Sequence, residues 1–283
     1  MRFAIIISKL DPAAMNDKAR FLESFPFKEL AEEFDSNRVY ELDGKEDNAD
    51  SVKIYTINDR HVFRENLDKE IDADFFVFAT THKSTAGVKC LSVHVTGNWG
   101  KAELGGKEKQ LCIAHAAYFR EMFLELVKQA KEAGIGYEVS VEQTHHGPFL
   151  EKPVLFVEIG CSESEWKDEE AAKVITKTIM NVLKRKIEEK KSVIVLGGGH
   201  YNQAANKIMI NTEYAVSHIC AKFLLGCLDE GMLKQAMQKS IPEPEMVVLD
   251  WKGLGQHKQH VKELLEKTGI KSERYKNLKA QHS

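Results

Sequence analysis

Residues 192–203 read SVIVLGGGHYNQ. Val193–Leu196 is a short, mostly β-branched run of the kind that forms a buried strand. It stops at three glycines, after which come His200 and Tyr201. Such a turn can grip phosphate through backbone N–H groups. It can equally let the backbone turn sharply, close to substrate, so that His200 and Tyr201 face a site shared with other segments. A P-loop requires GxxxxGK followed by Ser or Thr, and the dinucleotide fingerprint requires GxGxxG. LGGGHYNQAANK matches neither, and the missing lysine favours delivery over the cradle.

The same kind of run recurs at Arg2–Ile7, Val52–Ile57, Phe75–Ala79, Leu91–Val95, Tyr137–Val141, Val154–Ile159 and Met246–Leu249. Amphipathic segments alternate with these runs. The longest predicted helix covers Lys109–Ala133, with Gly134 as its stop, and others fit Glu165–Glu188 and Gly255–Lys267. The alternation predicts an α/β fold: a mostly parallel or mixed sheet with helices on both faces. Ser240–Glu245 is the one linker-like spot, and its prolines introduce the last strand and helix. One domain over residues 1–283 is therefore expected, with 272–283 as a mobile basic tail.

At 283 residues and 43% hydrophobic, the chain can bury a large core unaided. The five cysteines are odd in number and never in a CxxC pair, which argues against a disulfide framework or a cysteine-rich zinc module. The apolar run at Phe3–Ile7 is too short, and too soon followed by Asp11-Pro12, for a signal peptide, so a cytoplasmic protein is expected. A net charge of −3 argues against a broad basic surface that coats nucleic acid, although Lys184–Lys186 and the tail from Lys258 could make local phosphate contacts.

Five predicted strands end in small and ionisable residues. Phe75–Ala79 runs into TTHKS (80–84), Leu91–Val95 carries His94 and runs into Thr96-Gly97-Asn98, and Tyr137–Val141 runs into EQTHHGP (142–148). Val154–Ile159 carries Glu158 and runs into Gly160-Cys161, and Val193–Leu196 runs into the glycines and His200. Ligands of open α/β sheets bind outside the carboxyl ends of the strands, so these five segments should converge. His94, His145, His146, His200 and Glu158 could hold zinc, although no HExxH-type spacing is present. Without a metal, a histidine could activate water while backbone N–H groups around Gly97 or Gly198 stabilise an oxyanion. Cys161 is read as a packing residue and His115 as a core histidine. His218 joins the cluster if Glu213–His218 is a strand, and Lys252, just before the last helix, could receive an anion.

VHVTGNWG (93–100), EQTHHGP (142–148), VEIGCSESEW (157–166), GGGHY (197–201) and SHI (217–219), in that order, resemble the archaeal-type D-aminoacyl-tRNA deacylases, which also occur in plants. The resemblance implies hydrolysis of the ester that joins a D-amino acid to the terminal ribose of tRNA. It also implies a fold similar to peptidyl-tRNA hydrolase and nucleoside phosphorylase, an association with zinc, and the acceptor end of tRNA as partner. Carried over, it covers His94, Thr96, Gly97, Asn98, His145, His146, Gly147, Glu158, Gly160, His200, Tyr201 and His218. The expected catalytic set is His94, His146, His200 and Glu158, with Thr96, Gly97, Asn98, His145, Gly198, Tyr201, His218 and Lys252 contacting substrate. The metal candidates are His94, His145, His200 and Glu158, and a monomer is expected. The alternatives are a peptidyl-tRNA hydrolase, a nucleoside phosphorylase-like enzyme, or a non-catalytic module that binds tRNA or metal.

Overall fold

The computed structural model describes residues 1–43, 49–84 and 87–278. The first sheet is built from β1 (Arg2–Ser8), β2 (Phe27–Phe34), β3 (Asn37–Leu42), β4 (Ser51–Ile57), β5 (Phe75–Lys83) and β6 (Cys90–His94). Three two-residue strands follow, β7 (Gly97–Asn98), β8 (Gln110–Leu111), which pairs with β7, and β9 (Ala114–His115), before the sheet is completed by β10 (Glu138–Val141) and β11 (Val154–Cys161). Its order is β10-β6-β11-β5-β1-β4-β3-β2. A second sheet contains β12 (Ser192–Leu196), β13 (Ala215–Cys220), β15 (Met246–Leu249) and β16 (Ser272–Arg274), in the order β13-β12-β15-β16, while β14 (Ser240–Ile241) pairs with β9.

The fold is thus mixed α/β. The smaller sheet is parallel throughout, but in the larger one β11 runs parallel to β5 and antiparallel to β6. Glu213–His218 resolves as a strand from Ala215. Ser272–Arg274, placed by the sequence in a mobile tail, pairs with β15, and 279–283 lie outside the described residues.

The two faces of the larger sheet follow from the period-2 alternation of its strands. Phe3, Ile5, Phe75, Val77, Leu155 and Val157 point to one face, which is covered by α1 (Pro12–Ser24), α3 (Ala116–Ala133) and α5 (Glu169–Lys184). The same apolar cluster continues into Val193, Val195 and Val216 of the smaller sheet, so one core spans both sheets. α6 (Gln203–Asn211) adds Ala205, Ile208 and Met209 to that core, and Ile194, Leu196, Val247 and Leu249 bury the far side of the smaller sheet against α7 (Glu230–Gln238) and α8 (Lys258–Thr268). Ala4, Ile6, Phe76, Phe78, Val154 and Phe156 form a third cluster with Leu67, of the short α2 (Leu67–Glu70), and with Phe149 and Leu150.

Two helices differ from expectation for local reasons. Lys109–Ala133 begins only at Ala116, because Lys109 takes a positive φ of 50° and the next residues spend their backbone groups in the β8 and β9 ladders. Gly134 ends the helix in the left-handed region (φ 65°), as its position predicted. The helix expected over Glu165–Glu188 is split into α4 (Glu163–Trp166) and α5. Asp168 restarts it, accepting from the N–H groups of Glu170 and Ala171 at 2.9 and 3.3 Å.

Candidate active site

Along one face of β5 the residues are Phe76, Phe78, Thr80 and His82; along β11 they are Val154, Phe156, Glu158 and Gly160, paired with them in register. The face therefore changes from aromatic to ionisable within two steps of the pleat. Glu158, 2% exposed, accepts from Thr80 Oγ1 at 2.9 Å, and its other oxygen lies 3.2 Å from His82 Nδ1. Gly160 keeps the row open. A Cβ there would lie 2.7 Å from Cys90 Sγ and 3.0 Å from the His82 ring. Because β6 runs antiparallel to β11, its carboxyl end brings His94 in from the opposite direction, with Nε2 3.5 Å from Glu158 Oε1. The expected convergence of strand ends is thus partly an approach from two sides across the middle of β11.

The segment after β10 supplies the next layer. Glu142, fully buried, presents Oε1 3.1 Å from His82 Nδ1 and Oε2 3.6 Å from His145 Nε2. His200, on the glycine turn after β12, reaches the same Oε2 at 2.8 Å through Nε2. His94, His145 and His146 are packed ring to ring, with centroids 4.3–4.8 Å apart. His146 holds a positive φ of 43°, unusual for a side chain of that size, and Gly97 N–H fixes it by donating to His146 O at 2.8 Å. A cleft of ≈ 700 Å³ opens onto His82, His145, His146, Glu158, His200 and Tyr201.

Charge divides within the cluster. Burial alone would lower His82, but its contact with Glu158 and the charges of Glu142 and Glu158 hold it up at about 9. His94 is likewise raised, chiefly by Glu158 acting against burial. Burial and the neighbouring imidazoles push His145 well down and His146 down to about 3, so both are neutral. Burial opposes ionisation of Glu142 and Glu158, yet the surrounding histidines keep both carboxylates below their ordinary range.

The donor set suits a divalent metal. The ligand atoms of His94, His145 and His146 lie within 4.8 Å of one another, as do those of His82, Glu142 and His200, and those of His94, Glu142 and Glu158. Both oxygens of Glu142, His94 Nε2 and His200 Nε2 are buried without a partner in hydrogen-bond geometry, although they face one another at short range. Buried lone pairs pointed at a common space are the arrangement expected of ligands to a cation.

Several expected substrate contacts turn out to be scaffolding. Thr96 Oγ1 donates to Pro148 O (3.2 Å), and Asn98 Nδ2 donates to Gly105 O (2.9 Å). The N–H groups of Gly97 and Gly198 are committed, the latter to Gly253 O at 3.2 Å, so neither forms the oxyanion hole considered from the sequence. His218 lies behind the site, between Thr144 Oγ1 (3.3 Å) and Lys239 O (3.2 Å), and burial lowers it to about 4. Lys252 is exposed and does not line the cleft. Cys161 is buried with Sγ 3.9 Å from Glu165, and His115 packs edge-on to Tyr118. The glycines of the opening stretch turn the chain against the 250–253 loop, where a Cβ on Gly197 (φ 101°) would stand 2.9 Å from Asp250 O. They carry His200 to Glu142 and leave no free Gly198 N–H for a phosphate.

Glu142 and His82 were not singled out in the sequence, although both stand in strand-end segments that were. His61 was missed for another reason. It sits in the one-turn 3₁₀ segment His61–Phe63, away from any strand end, with Nδ1 3.4 Å from Asp11 and its ring against Phe156.

The family model for D-aminoacyl-tRNA deacylase matches residues 69–273, a span that contains the whole His/Glu cluster. The chain belongs to the D-aminoacyl-tRNA deacylase family. Relatives of that name from Pyrococcus furiosus and Thermococcus onnurineus are 40% and 36% identical, each match covering 94% of this chain and 97% of the relative. One from Methanosarcina acetivorans is 32% identical over 95% and 91% of the two chains. A crystal structure of a conserved protein of unknown function superposes with a TM-score of 0.86 at 28% identity, covering 98% of this deacylase-family chain and 96% of the other. The expected family and the mixed α/β fold are both borne out by these matches.

Proposed function

We propose that this chain hydrolyses the ester between a D-amino acid and the terminal ribose of tRNA, releasing the D-amino acid and free tRNA. Family membership supports the reaction, and one observation carries the mechanism: the buried carboxylates of Glu142 and Glu158 lie within 3.6 Å of ring nitrogens of His82, His94, His145 and His200, and Glu158, His82, His145 and His200 open onto the cleft. An aminoacyl ester is already activated, so oriented water, charge stabilisation and a proton for the leaving oxygen suffice. No covalent intermediate is required.

Zinc fits the donor set, with His94, His200, Glu142 and Glu158 as the residues that would hold it. When bound, it would polarise the carbonyl and lower the pKa of water. The chain's own groups do the rest. The neutral His145 and His146, at the cleft wall, accept hydrogen bonds from the incoming water and orient it. His82, held through Nδ1 by Glu142 and Glu158 and open to the cleft, is the group that donates a proton to the ribose oxygen as the C–O bond breaks. Tyr201, whose hydroxyl meets Cys90 Sγ at 3.1 Å, packs its ring on His82 and His200 and holds both in place. We read the protein as a cytoplasmic, monomeric single domain that engages the acceptor end of tRNA. Among the described residues, no helix is long and apolar enough to cross a membrane.

Release from D-aminoacyl-, L-aminoacyl- and N-blocked peptidyl-tRNA tests the reading, together with elemental analysis of the purified protein. Cleavage of the D-ester alone supports it. Intact turnover in both the His94→Ala and His200→Ala proteins would overturn the assignment of the site.

A further inference from the structure

The mouth of the cleft is apolar where an enzyme for a charged substrate needs no apolar surface. Leu10 and Leu104, 63% and 42% exposed, both line the cleft. Phe63 is 50% exposed and directly follows Val62, which lines it too. These residues form one rim: a Cβ on Gly105, next to Leu104, would stand 3.3 Å from Phe63 Cδ1 and closer still to Val62 O. Arg60 lies with its guanidinium 5.4 Å from the centre of the Phe63 ring and enters no ion pair among the described residues. Exposed Lys83 lines the same cleft. Phe63 is thus half-exposed with Arg60 over its ring, at a cleft that carries a second cation; an exposed aromatic ring with cations at the same mouth is how proteins hold unpaired nucleotides, the base stacking and the backbone phosphate meeting the charge.

We propose that Phe63, beside Leu104 at a cleft that Leu10 also lines, is the stacking platform for the unpaired 3′-terminal base of the tRNA, and that Arg60 and Lys83 receive its adjacent phosphates. The inference rests on the deacylase reading, since the ribose that carries the ester must lie inside the cleft and its base must therefore lie at the mouth. Continuity with the cleft and complementary charge select a nucleic-acid end over a protein partner.

The test uses the full chain with three substrates: D-aminoacyl-tRNA, D-aminoacyl-adenosine, and the ethyl ester of the same D-amino acid, which has no base. Phe63→Ala should raise KM about tenfold for the first two, leave kcat within about twofold, and leave the ethyl ester unaffected. Phe63→Trp should restore KM. Binding of an acceptor minihelix ending in 2-aminopurine should quench its fluorescence with the wild type and Phe63→Trp, and not with Phe63→Ala. Equal KM and quenching in the wild type and Phe63→Ala would overturn the platform, as would a change in sedimentation without a change in KM, which would mark the rim as a protein contact. Failure of the wild type to cleave D-aminoacyl-tRNA would overturn the deacylase reading instead, and the quenching would still decide the platform.

Discussion

Glu142 Oε2 lies 2.8 Å from His200 Nε2, and this contact joins the two sheets: Glu142 follows β10 of the larger, His200 follows β12 of the smaller. The seam is reinforced by backbone, since Gln143 N–H donates to His200 O at 2.9 Å and Thr144 N–H to Ile219 O at 2.9 Å. The site is therefore a product of how the sheets dock, and the carboxylate at the seam is its most constrained member.

Replacing that carboxylate with its uncharged isostere should remove function while keeping the fold. Glu142→Gln is expected to lower turnover of D-aminoacyl-tRNA about 10- to 100-fold and to reduce bound metal in parallel. Steady-state kinetics with elemental analysis reads both. Full activity and full metal content in the Glu142→Gln protein would remove Glu142 from the site.

Chelation should act on stability as well as on rate. Without a cation, two buried carboxylates and the orphaned nitrogens of His94 and His200 lose the partner their geometry fits. Extensive dialysis against a chelator is expected to abolish deacylation and lower the melting temperature, with both restored by zinc. Unchanged melting after demonstrated removal of metal would show that the cluster is satisfied without one.

The sequence made the site partly legible because its logic is local. The short β-branched runs and the ionisable residues behind them are encoded residue by residue, so His94, His145, His146, Glu158 and His200 could be grouped before any fold was known. What escaped depends on pairing. The antiparallel register of β6 and β11, which turns a crevice at strand ends into an approach from two sides, has no signature in either strand. Glu142 reads as the wet end of β10 until the second sheet closes over it. The hairpin β2–β3 escaped for the opposite reason: FKELAEEF is mostly exposed on both faces, so it lacks the apolar alternation that marks a half-buried strand. His61 and the exposed Phe63 sit in a single 3₁₀ turn, too short for any periodicity to reveal.

Gly160 gives a steric test of the polar row. Gly160→Ala places a methyl 2.7 Å from Cys90 Sγ and 3.0 Å from the ring of His82, in a face with no room to yield. We expect a loss of about 1–3 kcal/mol in stability together with slower turnover, because His82 must shift away from Glu158. Removing the sulfur in the Gly160→Ala/Cys90→Ala pair should recover part of the stability. Denaturant unfolding and kinetics on the three proteins measure this, and strict additivity of the two changes would argue against the contact.

Asp17 offers a pH test remote from the metal candidates. It sits on the buried face of α1 with Ala13, Ala14 and Phe21, and neither carboxylate oxygen has a hydrogen-bond partner. Burial, with a smaller contribution from Asp11, raises its pKa well above the ordinary value. An acid whose folded pKa is raised binds its proton more tightly in the native state. Its contribution is therefore fully present below the unfolded value of about 4 and is lost as pH rises through the folded value. Asp17→Asn has no proton to lose, so its melting temperature should gain on the wild type as pH rises from about 4 towards 8, by the equivalent of about 1–3 kcal/mol. Parallel pH–stability curves for the two proteins would show that Asp17 ionises freely in the folded chain.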